Sequence, residues 1–363
     1  MRLLFSVGHP AHVHAYKNLI WELRKRGHEI IIAARDKEMT LDLLDNYGFD
    51  YQLVSSRKKG KIGLGIEMIQ RHYKFFNILR RFRPDITISP CDPSMVQIGK
   101  MLGIPSIIMA DSSLKAIKFP PMNLLVTPFA TVIFTLSSVI EYEIDDFGSK
   151  GVEINSYKEL AYLHPDHFTP DQSVLAELGM NKTDIFIIMR FIAWQAGHDT
   201  GKYGFDMETK RRLVNDLGKY GRVFITSENP LPAEFEKYRI TIQPEKIHDL
   251  LYYATLLICD SQTMATEAAV LGTPVVRCNS IVGPNDMGNF IELERKYDLI
   301  YSIREPDKAI MKAAELLQQP DLKEQWAKKR QLLLADKVNM TKFMVDFIEN
   351  YPESFRKYRE KSD

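Results

Sequence analysis

Five places along this chain set a charged, hydroxylated or imidazole side chain directly after an apolar run, where parallel-sheet proteins meet their ligands. The first is GHPAHVH, with His9, His12 and His14 around a helix start. Pro10 keeps His9 out of that helix. On the helix, His12 and His14 point about 200° apart, so one ligand does not take both. The spacing does not suit a metal pair, and no metal site is expected. His9 and His12 read as ligand-contacting or acid–base groups, with capping and packing as the alternative. The second place is CDPSM, where Asp92 precedes Pro93 and a helix; it reads as a base or as an N-cap. The third is ADSSLK, which puts Asp111 at another strand end. Two carboxylates at adjacent strand ends can share a cleft, and one can then serve as a base.

The fourth place is the run IFIIM ending on Arg190, followed by Trp194, Gln195 and His198. A strand-end arginine either neutralises a carboxylate or holds a phosphate bidentately. The fifth is LLICDSQTMATEAAVLGTPVVRC, Leu256 to Cys278. A strand ends at Asp260, Ser261, Gln262 and Thr263 open a helix, Glu267 follows inside it, and Gly272 and Pro274 stop it. The free N–H groups of such a helix start favour a diphosphate, and Glu267, a turn further on, is placed for ribose hydroxyls. Its alternative is an ordinary helix-forming glutamate.

Positioning these groups requires an alternation of strands and helices. Leu3 to Val7, Glu29 to Ala34, Asp85 to Ser89, Ser106 to Met109 and Thr131 to Leu136 read as strands, with helices over Ala11 to Arg26, Gly65 to Phe82 and Ser94 to Leu102. Gly27 stands where a helix C-cap belongs. A second cycle runs from Asp184 to Met189 through Met207 to Leu217, Arg222 to Thr226, Lys246 to Ala254 and the Leu256 to Arg277 stretch. The alternation predicts parallel sheets. Between the cycles, HPDHFTPDQSVLAELG is rich in Pro, Asp and His, as linkers are. The expected division is residues 1–165, an N-terminal Rossmann-like domain; 166–340, a second one that binds the ligand's phosphates; and 341–363, a helical tail whose Phe343, Met344, Phe347 and Ile348 dock an apolar stripe on the first domain.

The 48 basic and 47 acidic residues nearly cancel, which argues against a nucleic-acid surface. Cys91, Cys259 and Cys278 lie far apart, with neither disulfide-framework nor zinc spacing. The run Leu3 to Val7 is too short for a signal-peptide core, so a cytoplasmic location is expected. Pro120 to Leu136 contains Asn123 and three prolines and does not supply the ~20 residues of a membrane helix. It reads as a loop followed by a buried strand, or as a loop that touches a membrane peripherally.

The strand, D-S-x-x-x-x-x-E helix and L-G-x-P turn in CDSQTMATEAAVLGTPVV are similar to the donor-binding half of UDP-N-acetylglucosamine 2-epimerases and of the lipid-intermediate N-acetylglucosaminyltransferase group. The opening GHPAHVHAYKNLIWELRKRGHEI is similar to the G-H-x-x-P start and R-G-H-E turn of such transferases. The whole chain resembles a bacterial and archaeal family of glycosyltransferase-like proteins. The resemblance implies an α/β GT-B fold, two tandem Rossmann-like domains facing a cleft. It also implies that Ser261, Gln262 and Thr263 face a diphosphate and Glu267 a ribose. Two departures stand out: Pro121 and Met122 fall where the epimerases carry carboxylates, and IIMRFIAW keeps Arg190 without the epimerase histidine.

The function this implies is transfer of a sugar from a nucleotide donor, UDP-linked, to a polysaccharide or lipid-linked acceptor. The substrate is the nucleotide sugar, and no cofactor is expected. No D-x-D segment of metal-dependent transferases is present in the chain, so metal-independent chemistry is expected, with His9, His12, Asp92 or Asp111 deprotonating the acceptor. The alternatives are a sugar-nucleotide epimerase or hydrolase, and a non-catalytic sugar-nucleotide sensor or scaffold.

Overall fold

A computed structural model describes residues 1–58, 60–111, 114, 122–143, 147–193, 203–284 and 286–362. The chain divides into two compact units, Met1–His167 with Val338–Asp363, and Phe168–Lys337.

In the first unit, β1 (Arg2–Val7), α1 (Pro10–Lys25), β2 (Glu29–Asp36), α2 (Thr40–Asn46), β3 (Gln52–Ser56), α3 (Gly60–Phe82) and β4 (Ile86–Ser89) follow one another. Then come α4 (Pro93–Met101), β5 (Ser106–Ala110), α5 (Met122–Val126), β6 (Val132–Leu136), α6 (Ser137–Glu143), β7 (Gly151–Ile154) and α7 (Leu160–Leu163). The strands form one parallel sheet in the order β3-β2-β1-β4-β5-β6-β7. β1 therefore lies beside β4, with Phe5 opposite Ile88, and the chain progresses outward in both directions from that pair. Such a switch point opens a crevice at the C-terminal strand ends.

Among the departures from the sequence reading, three concern the sheet edges and the helices α5 and α3. The edge strands β3 and β7 were not legible, because an edge strand is partnered on one side and needs no continuous apolar run; β3, QLVSS, buries only Val54 and Ser55. A single helical turn, α5, interrupts the expected loop after Pro120 and Pro121, as suits prolines ahead of a helix start. α3 begins at Gly60, a turn earlier than its inward pattern indicates.

The core on one face of this sheet joins Leu4, Ala33 and Val54 to Phe75, Leu79 and Phe82 of α3 and Met95 of α4. Each of these side chains larger than Ala33 contributes roughly 1.5–3 kcal/mol through burial.

The second unit comprises α8 (Ser173–Glu177), β8 (Phe186–Phe191), α9 (Met207–Leu217), β9 (Arg222–Ser227), α10 (Ile247–Tyr253), β10 (Leu256–Cys259) and α11 (Gln262–Leu271). It continues with β11 (Val275–Arg277), α12 (Gly288–Arg295), β12 (Ile300–Ser302), α13 (Pro306–Leu317) and α14 (Leu322–Asp336). Its sheet, also parallel, runs β12-β11-β10-β8-β9, so its switch point lies between β8 and β10. Gly272, at φ +79°, ends α11 in the left-handed conformation that L side chains avoid. The chain then returns to the first unit as α15 (Met340–Glu349) and α16 (Glu353–Ser362). There the rings of Phe343 and Phe347 pack on Phe134 of β6, with centroids 5.7 and 4.9 Å away.

Candidate functional site

At the switch point of the first unit, β1 runs into His9, whose extended backbone and Nδ1 cap α1 by accepting the Ala11 N–H at 3.2 Å. Its Nε2 stands 3.3 Å from the Glu38 carboxylate. The hydrogen bond from His9, with the charge and hydrogen bond of Lys37, outweighs burial and holds Glu38 at about 2. Both nitrogens of His9 are thus engaged. His12, one turn on, accepts the Gly8 N–H through Nδ1 at 3.3 Å, so the neutral ring carries its proton on Nε2. Burial, and then the charges of His9, Lys158, Lys37 and Arg71, push its pKa well below the ordinary imidazole value. His12 is therefore an N–H donor at neutral pH. His14 faces elsewhere and stacks on Tyr162.

That pKa sets an expected pH response. Unfolded, His12 titrates near 6.5; folded, it protonates only at lower pH, so below about 6.5 the unfolded state binds the extra proton. The stability due to neutral His12 is complete above about 6.5 and is lost as pH falls towards its folded value, by at most ~1.4 kcal/mol per pH unit. Thermal melts between pH 7.5 and 5.5, on this scale about one unit either side of 6.5, should show a shallower decline for His12→Asn, whose amide oxygen can still accept the Gly8 N–H. An identical decline would refute the assignment.

Asp92 caps α4, accepting the Ser94 and Met95 N–H groups, and also accepts the Ser6 hydroxyl at 2.5 Å and a hydrogen bond from Arg71. These contacts occupy its buried carboxylate and tie β1, α3 and α4 together. Asp111 follows β5 and pairs with Lys158. Burial works to raise the Asp111 carboxyl, but the adjacent Lys158 ammonium outweighs it and holds the group below its usual range.

Two cavities meet here. One, of about 180 Å³, is lined by His12, Tyr16, Cys91, Asp111 and Lys158 against an apolar wall that includes Met344. The other, of about 420 Å³, is lined by His12, Arg35, Met68, Arg71, Asp92 and Leu125. Tyr16 is 2% exposed, and its hydroxyl has no hydrogen-bond partner among the described residues. Buried polar groups are nearly always paired with protein or ordered water, so this hydroxyl in a cavity wall is available to a water or to a ligand that replaces it. Burial, then Cys91 and Asp111, raise the Tyr16 pKa, leaving a phenol that can donate. Cys91 adopts φ +57°, a strained conformation for a non-glycine residue, and its thiol donates to the Met109 carbonyl at 3.2 Å. Sequence reasoning missed Tyr16, Arg71 and Lys158. Tyr16 and Arg71 sit within ordinary helical patterns, and Lys158 follows the edge strand β7.

At the switch point of the second unit, Arg190 donates to Thr226 Oγ1 at 2.9 Å and to Glu228 Oε1 at 3.0 Å. Glu228 also accepts the Ala193 N–H at 3.0 Å. Its place just past β9 was the available signal for it. Asp260 accepts the Ile192 N–H at 2.9 Å, joining the ends of β8 and β10. Ser261 caps α11 by accepting the Met264 N–H at 3.4 Å. Gln262 Oε1 accepts from Asn279 at 3.3 Å, and Thr263 is partly exposed. The N–H groups of Gln262 and Thr263 belong to the first turn, whose donors have no intrahelical acceptor. Glu267 differs from the expectation of a crevice-mouth carboxylate. It is 5% exposed, with Oε1 3.0 Å from His248 Nε2, because α11 is packed along its whole length from Met264 to Leu271. Trp194, Gln195 and His198, and Pro121 of the first unit, lie outside the described residues. No group of His, Cys, Asp and Glu among the described residues could hold a metal ion, and no helix among them is long and apolar enough to cross a membrane.

Residues 2–352 match the family described as "Protein of unknown function (DUF354)". The chain belongs to that family. No curated protein matches it in sequence. Its fold is that of the UDP-GlcNAc 2-epimerase from Neisseria meningitidis, solved bound to UDP-GlcNAc, with a TM-score of 0.70, 13% identity, and coverage of 96% of this chain and 99% of that one. It likewise matches S. aureus MnaA, solved with UDP, with a TM-score of 0.68, 13% identity and 97% of both chains. The spinosyn rhamnosyltransferase SpnG aligns with a TM-score of 0.64, 15% identity, and 96% and 100% of the two chains. The two parallel sheets are those of the GT-B fold.

Proposed function

We propose that this protein is a metal-independent glycosyltransferase that uses a UDP-linked sugar. The observation that carries the reading is the 180 Å³ cavity, where an ionised carboxylate, Asp111, stands among the donors Lys158, neutral His12 and the unpaired Tyr16 hydroxyl. That set suits a hydroxylated acceptor: Tyr16 and His12 orient its oxygens and Asp111 takes the proton of the attacking hydroxyl. The acceptor oxygen bonds to the anomeric carbon, the bond from that carbon to the diphosphate breaks, and the diphosphate leaves with the electron pair. In the second unit, the Gln262 and Thr263 N–H groups and the α11 dipole suit that leaving group, with Arg190 at the neighbouring strand end.

Epimerisation of a UDP-sugar is the second reading, supported by the fold likeness to UDP-GlcNAc 2-epimerases. It is the weaker one, because proton shuttling at a sugar ring calls for a pair of available carboxylates, and Asp92 is committed to Ser6, Arg71 and the α4 cap.

Thermal shift against a panel of nucleotide sugars tests binding, since a ligand at about 100 Kd adds ~2.7 kcal/mol to the folded state. UDP-sugars should raise Tm, equally with and without EDTA. Product analysis then separates the readings: UDP released only with acceptor present supports transfer, and an isomerised sugar from donor alone supports epimerisation. No shift with any nucleotide sugar would overturn both.

A further inference from the structure

We propose that the outer face of α3 docks the protein on an anionic lipid bilayer. α3 presents two apolar faces. Its inner face, Phe75, Leu79 and Phe82, is buried in the core. On the opposite side Ile62, Ile66, Ile69 and Tyr73 recur at i, i+4, i+7 and i+11, within an arc of about 60°. They are exposed by 82, 46, 69 and 70%. A solvated helix face normally carries polar residues at such positions, so this stripe calls for an apolar partner.

Charge decides which partner. From Arg57 to Arg83 the sequence holds one acid, Glu67, and nine Lys or Arg, of which Arg71 pairs with the buried Asp92 and the other eight carry the segment's basic charge, in a protein whose overall charge is +1. Glu67 is buried and paired with Arg35, so it offsets none of the surface charge. Arg80 and Arg81, in the last turn, are exposed. A second copy of the chain placed on this stripe would bring two such basic segments together, which like-charge repulsion opposes. An apolar stripe flanked by Lys and Arg is the pattern of a helix lying in the interface of an anionic membrane. The stripe spans about 16 Å, a suitable length for shallow insertion. Half-exposed Leu64 and Met68 of the same helix line the 420 Å³ cavity beside Leu125, and the adjacent Leu124 is 67% exposed. Leu64 and Met68 lie on the inward side of α3, roughly 130–170° around the helix from the stripe, so the cavity opens behind the docked helix and the docking stands beside the transferase reading above. The docking itself does not depend on that reading.

The test is co-sedimentation of the full chain with vesicles of phosphatidylcholine alone and of equal parts phosphatidylcholine and phosphatidylglycerol. Binding to the anionic vesicles is expected, at least tenfold above the neutral ones and weakened by salt. The double variant Ile62→Ser, Ile69→Ser should lose it by about tenfold while its Tm and any nucleotide-sugar shift match the parent's. Arg80→Glu with Arg81→Glu should weaken it at low salt. Equal partition to both vesicle types, no binding to either, or a parent dimer that the serine variant dissociates would each overturn the assignment. Because nucleotide-sugar binding is measured separately, failure here and failure of the transferase reading are distinguishable.

Discussion

Asp111→Asn is expected to lower the rate of sugar transfer by about 10²–10⁴-fold, the range lost with a positioned general base. Affinity for the nucleotide sugar should stay within about twofold, since the diphosphate is assigned to other residues and one lost contact of this kind is worth little in binding. Asparagine keeps the shape of the side chain and a hydrogen bond from Lys158, so the fold should persist. Lys158→Gln has a different signature. Lys158 keeps the Asp111 carboxyl below its usual range against the opposing effect of burial; without it, Asp111 protonates at higher pH, and the acid limb of the kcat profile should move upward. A pH–rate profile of the two variants checks both statements. An Asp111→Asn enzyme as fast as the parent would remove Asp111 from the chemistry.

Glu67→Ala should destabilise the first unit as strongly as a large truncation in its core. The Glu67 side chain accepts Arg35 Nε at 2.5 Å and Nη2 at 2.8 Å, the Ser55 hydroxyl at 2.9 Å and the Lys58 N–H at 3.1 Å, at 2% exposure. It fastens α3 to β2 and β3, whose Arg35 and Ser55 stand side by side in the sheet register. Removing the carboxylate leaves a partly buried guanidinium without its partner, at a cost of about 3–5 kcal/mol. Tm should fall by roughly 10 °C for a unit of this size. The double variant Arg35→Met, Glu67→Met should recover much of the loss, because apolar side chains of similar volume leave no charge unpaired. Calorimetry decides it; a single variant within about 1 kcal/mol of the parent would show the network to be dispensable. Burial raises the Glu67 carboxyl, but the Arg35, Lys58 and Ser55 hydrogen bonds outweigh it and the net shift is downward. The network's stability is therefore present above the unfolded glutamate value near ~4.3 and is lost as pH falls below it.

Much of the candidate site was legible because its signals are local. Asp92 ahead of Pro93, Ser261 ahead of an apolar helix and Gly272 behind it are capping patterns that a few neighbouring residues determine, and each occurs as a cap in the structure. Asp111 and Arg190 were recognisable as strand-end groups because an apolar run stops at them. The α/β alternation and the two parallel sheets follow from the same short-range periodicity.

What only the tertiary structure decided is which strand ends meet, and which side chains close the site. Periodicity has no term for strand order, so nothing in residues 2–7 announces that they pair with 86–89, or that 186–191 lie against 256–259. Those pairings create the two switch points. Lys158 reaches Asp111 across 47 residues, and Arg71 reaches Asp92 across 21, from segments whose local patterns describe only an edge strand and an amphipathic helix. The same limit explains Glu267. Its place on α11 was readable, but the burial that sets it against His248 depends on how the small residues of that helix let the surrounding chain close over it. It explains the outer stripe of α3 too, because apolar residues at helical spacing read as core until the sheet shows which side it covers.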